Sequence, residues 1–227
     1  RIFSVALKIC IIVNMDSDKK WIATCVALIP EINDESFLFE LNRALAGGSE
    51  SSFLFDGNHR PHITLMQDFI ESSKLSVLEK SLADIDWQGI SELTVSGVER
   101  SCEIEKGVFT PCLEVCDSGD YLSKLHRQVM DCSSALSSNS EVLKGEFCDH
   151  VVHPKCHHYV QNFSQFKSYE NFYPHLTLGI SRNLSQMVSV FENMTFPKTL
   201  RVDSVVLAQL GDICTIPLKT YWEKNLP

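Results

Sequence analysis

The chain has 227 residues, of which 44% are hydrophobic and 22% are charged. With only ten Gly and eight Pro, this balance is typical of a globular protein and excludes a fibrous, low-complexity or largely disordered chain. The net charge is −9, from 29 acidic and 20 basic residues. It argues against a long nucleic-acid groove, because proteins that hold many phosphates carry a basic surface.

The first 14 residues are interpreted as an N-terminal extension rather than as a signal peptide. The segment is apolar, but Lys8 interrupts it and no small-x-small cleavage site follows. It is also too short to span a bilayer. The domain proper is expected to begin at Met15 and to fill residues 15–227, with no membrane-spanning segment.

Apolar periodicity predicts a mixture of strands and helices along the chain. The predicted strands lie at 21–30, 92–98, 108–115, 205–210 and 213–218, the last two joined by a turn at Gly211-Asp212. Helices are predicted between residues 33 and 47, around 75–82, from 118 to 136 and at 181–191. Residues 133–170 show no clean periodicity and are predicted to be mostly a loop or insertion. Mixed helices and hairpins indicate an α+β fold rather than a doubly wound sheet.

One short motif occurs twice, and it carries the functional interpretation. The string P-H-I-T-L contains His62 and Thr64, and the string P-H-L-T-L contains His175 and Thr177. Both strings lie in β-forming sequence. In a strand, residues i and i+2 point to the same side, so each copy presents an imidazole beside a hydroxyl.

Two such copies facing one cleft would supply the groups that attack on a phosphodiester requires. One histidine can activate the nucleophile while the other protonates the leaving oxygen, because imidazole titrates near neutral pH. The threonine hydroxyls can donate to the phosphoryl oxygens without adding charge. No metal or other cofactor is needed for this chemistry, and none is expected.

The two strings resemble the paired signatures of the two-histidine (2H) phosphoesterase superfamily, which includes 2′-5′ RNA ligase-like proteins and cyclic phosphodiesterases. The resemblance implies two pseudo-symmetric α+β lobes whose antiparallel sheets form a central cleft, so residues 15–227 would be one bilobal domain. It assigns the acid–base roles to His62 and His175 and the phosphate-binding roles to Thr64 and Thr177. The implied partner is a nucleotide or an RNA end with a cyclic or 2′-5′ phosphate, bound by a monomer.

Several other residues are weighed for roles around this site. Tyr173 and Phe172 precede the second motif and could either stack on a nucleobase or pack in the core. Arg60, Lys219 and Tyr221 are open candidates for a further phosphate contact. His126, on the third predicted helix, is expected to be partly buried.

The cysteines and histidines outside the repeated motif indicate a cellular compartment rather than a metal site. Nine cysteines with irregular spacing favour free thiols in a reducing compartment, with the cytoplasm expected and the nucleus open. Residues 148–158 are rich in Cys and His, but their spacing matches no standard zinc pattern, so a polar surface loop is expected there.

Three functions therefore remain in view. The leading one is a metal-independent phosphodiesterase that opens 2′,3′-cyclic phosphates or related cyclic or 2′-5′ linkages on nucleotides or RNA ends. The second is a 3′-end RNA exonuclease, which the acidic charge disfavours. The third is a non-catalytic module that binds a phosphate or an RNA end.

Overall fold

The computed structural model describes residues 19–46, 54–55, 59–99, 103–105, 107–137, 145–217 and 220–227. The predicted N-terminal extension and the start of the domain at Met15 lie outside the described residues.

The described chain contains strands and helices in mixed order. The strands are β1 (Trp21–Pro30), β2 (Ile63–Glu71), β3 (Glu92–Glu99), β4 (Glu103–Glu105), β5 (Val108–Phe109), β6 (Cys112–Cys116), β7 (Gly145–Glu146), β8 (His175–Thr177), β9 (Thr199–Gln209) and β10 (Thr220–Asn225). The helices are α1 (Ile32–Ala46), α2 (Leu75–Ala83), α3 (Tyr121–Ser134), α4 (Pro154–Phe166) and α5 (Leu184–Asn193). The predicted α+β class is confirmed.

The main sheet closes on itself. Its strands follow the order β10-β9-β3-β6-β8-β2-β1-β7, and β9 also pairs with β1. Six strands (β1, β2, β8, β6, β3 and β9) therefore form a continuous ring of hydrogen-bonded neighbours. Every pairing within the ring is antiparallel. The short β7 adds a parallel pair to β1, and β10 lies along β9.

The ring has an internal two-fold relation, which agrees with the expected pseudo-symmetric lobes. Each half contains a strand, a helix, a motif strand, a helix and a strand in that order. These are β1-α1-β2-α2-β3 in the first half and β6-α3-β8-α5-β9 in the second, where β7 and α4 are inserted between α3 and β8. Exchanging the halves reproduces every pairing of the ring, since β1–β2 becomes β6–β8 and β1–β9 becomes β6–β3. The β2–β8 pair maps onto itself. The pseudo-axis thus passes between the two strands that carry the repeated motif.

The two faces of the sheet pack differently. One face buries the large apolar side chains of α1, α2 and α3 against alternate residues of the strands, including Leu28, Ile63 and Leu176. The second face is lined by small or apolar residues, among them Ala23, Cys25, Ala27, Ile29, Val206 and Ala208. We call these the helix face and the second face.

The segment predicted to be mostly loop contains a helix, so that prediction is wrong for residues 154–166. Pro154 at the first turn and the His153 side chain, which accepts a hydrogen bond from the Lys155 N–H, begin α4. Val160 packs on the second face beside Phe69. The histidine-rich composition hid this helix because only Cys156, Val160 and Phe163 are buried, a narrow apolar stripe.

Two strand predictions also need correction. The strand predicted at 108–115 is divided into β5 and β6, because Pro111 lacks the N–H that a continuous ladder requires. The strand predicted at 213–218 is not formed by its described residues, 213–217; they begin in a short turn, and Ile216 makes only an isolated bridge to Arg60. The strand that follows β9 in the chain and pairs with it is β10, which begins at Thr220.

Gly145 of β7 offers a test of the packing between β7 and the second face. A methyl group at this position would overlap the Phe69 ring, which is buried and packs edge-on against Phe147 at 5.9 Å. We expect Gly145→Ala to lower the free energy of unfolding by about 1–3 kcal/mol, because an overpacked core must shift. Gly119→Ala, which adds a methyl in open space, is the control and should change stability by less than about 0.5 kcal/mol. Urea unfolding measures both, and equal stabilities would contradict the packing described.

Candidate active site

The two motif strands are direct neighbours in the sheet. Ile63 of β2 pairs with Leu176 of β8 in antiparallel register. In that register His62 lies opposite Thr177 and Thr64 lies opposite His175. The four predicted site residues therefore occupy a two-by-two square, with the histidines on one diagonal and the threonines on the other.

The strand alternation places this square on the second face. Ile63 and Leu176 are fully buried on the helix face. Because successive side chains point to opposite sides, both histidines and both threonines project from the second face. All four are partly exposed, so a ligand can reach them. Standard sheet geometry puts residues on a diagonal about 7–8 Å apart.

Both imidazoles are held in the same way by the backbone. Nδ1 of His62 lies 3.0 Å from the Arg60 carbonyl oxygen, and Nδ1 of His175 lies 2.8 Å from that of Tyr173. A carbonyl oxygen only accepts, so each neutral ring carries its proton on Nδ1 and donates it. In each neutral ring Nε2 is then the nitrogen that carries no proton and can accept one. Each histidine thus bonds the carbonyl two residues before it, as expected for two positions related by the pseudo-two-fold axis.

The surroundings differ, however, and they set the charge of His62. Burial lowers the pKa of His62 from 6.5 to about 4; the hydrogen bond to Arg60 opposes this shift, and the charge of His175 adds to it. His62 is therefore neutral at pH 7. The electrostatic effect of one ring on the other also indicates that the two imidazoles share one site.

Neighbouring strands explain the asymmetry. Leu28 of β1 pairs with Ile63, so the next position in that register, Ile29, lies beside His62. On the other side of the square, Glu114 of β6 pairs with His175. Ile29 and Glu114 are thus related by the pseudo-two-fold axis. An apolar neighbour disfavours positive charge on His62, whereas a carboxylate beside His175 attracts it.

Tyr173, for which base stacking and core packing were both open, lies at the rim of the site rather than in the core. Its side chain is 42% exposed, and its ring stacks on that of His175 with centroids 5.4 Å apart. Its hydroxyl donates to a Glu114 carboxylate oxygen at 2.6 Å. Phe172, the alternative stacking residue, instead lies flat against the His126 ring at 3.9 Å and packs on the core.

His126 is completely buried and links the two motifs. Its Nδ1 lies 2.7 Å from the carbonyl oxygen of Leu65 in the first motif. Its Nε2 accepts a hydrogen bond from the N–H of Tyr169, which precedes the second motif. The sequence suggested partial burial, and the observed burial is complete. Burial lowers the pKa of His126, which keeps the ring neutral and able to make both contacts.

Of the three further candidates for a phosphate contact, two have side chains that are paired within the protein and the third is not described. The guanidinium of Arg60 is paired with Glu35 at 3.3 Å and with Glu223 at 3.5 Å. The hydroxyl of Tyr221 donates to Gln209 at 3.0 Å. Lys219 lies outside the described residues.

Sequence reasoning missed two contributors to the site. Cys25 is fully buried on β1; burial raises the pKa of its thiol to about 12, and the side chains of Thr64 and Gln67 oppose this rise. Glu114 was missed as well. Its carboxylate packs against Gly97 so closely that a Cβ built on this glycine would lie 2.5 Å from Oε2. The alternation Ala23-x-Cys25-x-Ala27 in a strand was the available signal, because small residues on one face leave room for a ligand.

The structure assigns no metal centre to the Cys/His-rich segment. Within the described ranges, no three His, Cys, Asp or Glu side chains are grouped as metal ligands. Likewise, none of the helices among the described residues is both long and apolar enough to cross a membrane.

Comparison with known proteins identifies the family of the chain. A model of the 2′-5′ RNA ligase superfamily matches residues 48–212, the greater part of the chain. The chain belongs to the 2′-5′ RNA ligase superfamily. Both repeated motifs fall inside the matched range. No curated protein sequence matches the chain.

Solved structures of low sequence identity are also similar to this superfamily member. Escherichia coli LigT complexed with phosphate has 13% identity over 91% of this chain and 98% of LigT, with a TM-score of 0.45. LigT complexed with NADP+ has 12% identity with the same coverage and a TM-score of 0.47. A structure described as a phosphoesterase has 16% identity over 91% of this chain and 99% of its own, with a TM-score of 0.44.

The titration of His62 can be tested directly. Histidine NMR of the ¹⁵N-labelled protein should show His62, assigned from a His62→Gln sample, titrating near pH 4. His175→Gln should raise this pKa, since it removes the positive charge that His175 brings near. His158→Gln, on the exposed side of α4, is the control and should leave the His62 curve unchanged. A midpoint above 6 in the wild-type protein would contradict the described burial.

Proposed function

We propose that this protein is a metal-independent phosphodiesterase that hydrolyses 2′,3′-cyclic phosphates, or related cyclic or 2′-5′ linkages, on nucleotides or RNA ends. The single observation that carries the proposal is the antiparallel Ile63–Leu176 pair. It brings two imidazoles and two hydroxyls from distant segments onto one partly exposed patch. Membership of a superfamily named for 2′-5′ RNA ligases supports a phosphoester substrate.

The square suits in-line displacement at phosphorus. In such a reaction the attacking and leaving oxygens lie on opposite sides of the phosphoryl group. A phosphate bound over the centre of the square has one imidazole on each side along the histidine diagonal. The hydroxyls of Thr64 and Thr177, on the other diagonal, are placed to donate to the non-bridging oxygens.

The environments of the two histidines divide the roles. His62 is neutral at pH 7 and serves as general base, because a neutral imidazole accepts a proton through Nε2. His175, next to Glu114 and stacked on Tyr173, carries the proton of the general acid. Tyr173 and Glu114 act as positioning residues for His175, and the exposed side of Tyr173 offers a surface on which a nucleobase can stack.

The reaction then proceeds with its protons accounted for. Water attacks phosphorus while Nε2 of His62 removes its proton, and a new P–O bond forms. The bond between phosphorus and one ribose oxygen breaks, and His175 delivers its proton to that oxygen. The product is a phosphomonoester. A proton passes from His62 to His175 through solvent to restore the starting state.

The expected ligand is either a small molecule or the end of a longer nucleic acid. The acidic chain and the pairing of Arg60 with Glu35 and Glu223 leave few cations beside the square for an extended backbone. A nucleotide, or the end of an RNA, needs only one phosphate position. All four groups come from one chain, so a monomer suffices.

Replacement of either histidine should remove activity. We expect His62→Ala and His175→Ala to lower kcat/KM for 2′,3′-cyclic nucleotides by about 10²–10⁴, the usual contribution of a general acid or base. Thr64→Val and Thr177→Val should lower it by about 10²–10³. Turnover is measured by product analysis in EDTA, with His158→Ala as the control and circular dichroism to verify folding.

The outcome also separates the alternatives. Full activity in either histidine variant would disprove the two-histidine mechanism, and loss of wild-type activity in EDTA would disprove metal independence. Turnover of oligonucleotides alone, releasing nucleotides from a 3′ end, would replace the proposal with the exonuclease. Binding of a cyclic nucleotide without turnover of any substrate would replace it with a binding module.

The pH dependence of the reaction tests the role given to His62. The base must be unprotonated in the free enzyme, so kcat/KM should fall on the acid side as pH drops through about 4. An ordinary histidine base would give this limb near pH 6.5. Steady-state rates between pH 3.5 and 7, with stability verified at each pH, locate the limb. A limb near 6.5 would show that His62 is not the base described here.

A further inference from the structure

The Glu114 carboxylate lies against β3 at a position that has no side chain. Gly97 of β3 pairs with Glu114 of β6 in antiparallel register, so the two residues share the second face. A Cβ built on Gly97 would lie 2.5 Å from Oε2, 3.1 Å from Cδ and 3.7 Å from Cγ of Glu114. These three atoms are its nearest neighbours. The side chain of Glu114 therefore occupies the space that any other residue type at position 97 would fill.

From this position the carboxylate holds Tyr173. Oε1 of Glu114 accepts a hydrogen bond from the Tyr173 hydroxyl at 2.6 Å. Tyr173 in turn contacts His175 twice. Its carbonyl oxygen accepts the hydrogen bond from Nδ1 at 2.8 Å, and its ring stacks on the imidazole with centroids 5.4 Å apart. Gly97 is thus joined to His175 by a continuous series of contacts through Glu114 and Tyr173.

The backbone of β3 does not itself require a glycine at this position. The φ of Gly97 lies outside the left-handed region, so alanine can adopt the same conformation. Glycine within a strand costs conformational entropy that alanine does not, and it often marks a close approach by another group. The β3–β6 register also shifts between Val95 and Gly97, and bulges of this kind re-aim side chains beside active sites. The close approach that accounts for Gly97 is that of the Glu114 side chain.

The first half of the ring has a corresponding arrangement without a glycine. Ile29 pairs with Ser204, so the two-fold relation makes Ser204 the counterpart of Gly97. Its hydroxyl donates to Oε1 of Glu223 at 2.9 Å, and the same oxygen pairs with Arg60 at 3.5 Å. In both halves a carboxylate therefore holds the residue that lies two positions before the motif histidine. In the second half this carboxylate comes from the strand next to the motif and needs the empty position beside it.

We propose that Gly97 is a positioning residue for His175, because its missing side chain admits the Glu114 carboxylate that holds Tyr173 against the imidazole. The catalytic consequence rests on the proposed function, in which His175 is the general acid. A methyl group at position 97 would displace the carboxylate, since the end of a partly exposed side chain moves more easily than a strand. Tyr173 would lose its partner, and the imidazole of His175 would lose part of its support.

Gly97→Ala should separate activity from stability. We expect kcat for 2′,3′-cyclic nucleotides to fall about tenfold to a hundredfold, the scale of a misplaced catalytic group. KM should change by less than about twofold, because the phosphate donors are untouched. The midpoint of urea unfolding should not decrease. Gly119→Ala, whose added methyl meets no atom within 4 Å, is the matched control and should keep the wild-type kcat. A wild-type kcat in Gly97→Ala would overturn the proposal.

A double-mutant cycle identifies the route by which the methyl group acts. In Glu114→Ala the three atoms nearest to the added methyl are removed. Gly97→Ala should therefore lower kcat by less than about twofold in the Glu114→Ala background, although it acts strongly in the wild-type background. A general loss of stability would persist in both backgrounds. Equal losses of kcat in both would show that the methyl acts by another route and would overturn the proposal.

The position of His175 can also be followed without turnover. In the wild-type protein the ring current of Tyr173 shifts the ring-proton NMR resonances of His175, which are assigned from a His175→Gln sample. Gly97→Ala and Tyr173→Leu should move these resonances in the same direction, and Gly97→Ala should not move them in the Glu114→Ala background. Gly119→Ala is again the control.

Unchanged His175 resonances in Gly97→Ala would overturn the proposal even if activity were lost. If the wild-type protein turned over no substrate, the proposed function would fail. The resonances of His175 would still decide whether Gly97 positions its ring.

Discussion

The antiparallel pairing of β2 with β8 at Ile63 and Leu176 is the constraint on which the site depends. A slip of one residue in either strand would turn its imidazole and hydroxyl into the helix face. The large side chains that fill that face prevent such a slip. Ile63 and Leu176, flanked in the sheet by Leu28 and Leu113, are all fully buried. The core therefore fixes the register, and the register assembles the site.

The two-fold relation between the halves makes the two histidines equivalent in position, but it does not by itself distinguish them. Symmetry supplies two equivalent imidazoles, each with Nδ1 bound to the carbonyl two residues earlier. The proposed acid–base mechanism, however, needs one neutral and one protonated ring at the same pH. The flanking strands differ in the corresponding way, with Ile29 beside His62 and Glu114 beside His175. A substitution at either flanking position would change the division of roles without touching the histidines.

The sequence was sufficient for the parts of the fold that rest on local patterns. The buried run of β1 and the periodic leucines of α2 and α3 predicted elements that the structure contains, and the two copies of the repeated motif lie side by side. The ring closure was not predictable, because pairing of β9 with β1 joins opposite ends of the chain. Cys25 and Glu114 were missed for the same reason: each reaches the site from a neighbouring strand. The α4 helix was missed because its polar, histidine-rich face outweighed a narrow apolar stripe.

The two motif strands are not held equally firmly, although they are equivalent by symmetry. β2 has nine residues and pairs with β1 over almost its whole length. β8 has only three residues. The segment from Tyr169 to Pro174 that leads into it is bonded to β6 through the Val115 N–H and the Pro174 carbonyl, and side chains add to this hold. His126 holds the segment from the core side, because it is hydrogen-bonded to the Leu65 carbonyl and to the Tyr169 N–H. Glu114 holds it at the rim by accepting a hydrogen bond from the Tyr173 hydroxyl. The position of His175 thus depends on a polar network that a single buried imidazole joins to the first motif. His62 adjoins the longer β1–β2 ladder, so disturbance of the polar network should affect His175, the proposed general acid, more than His62, the proposed general base.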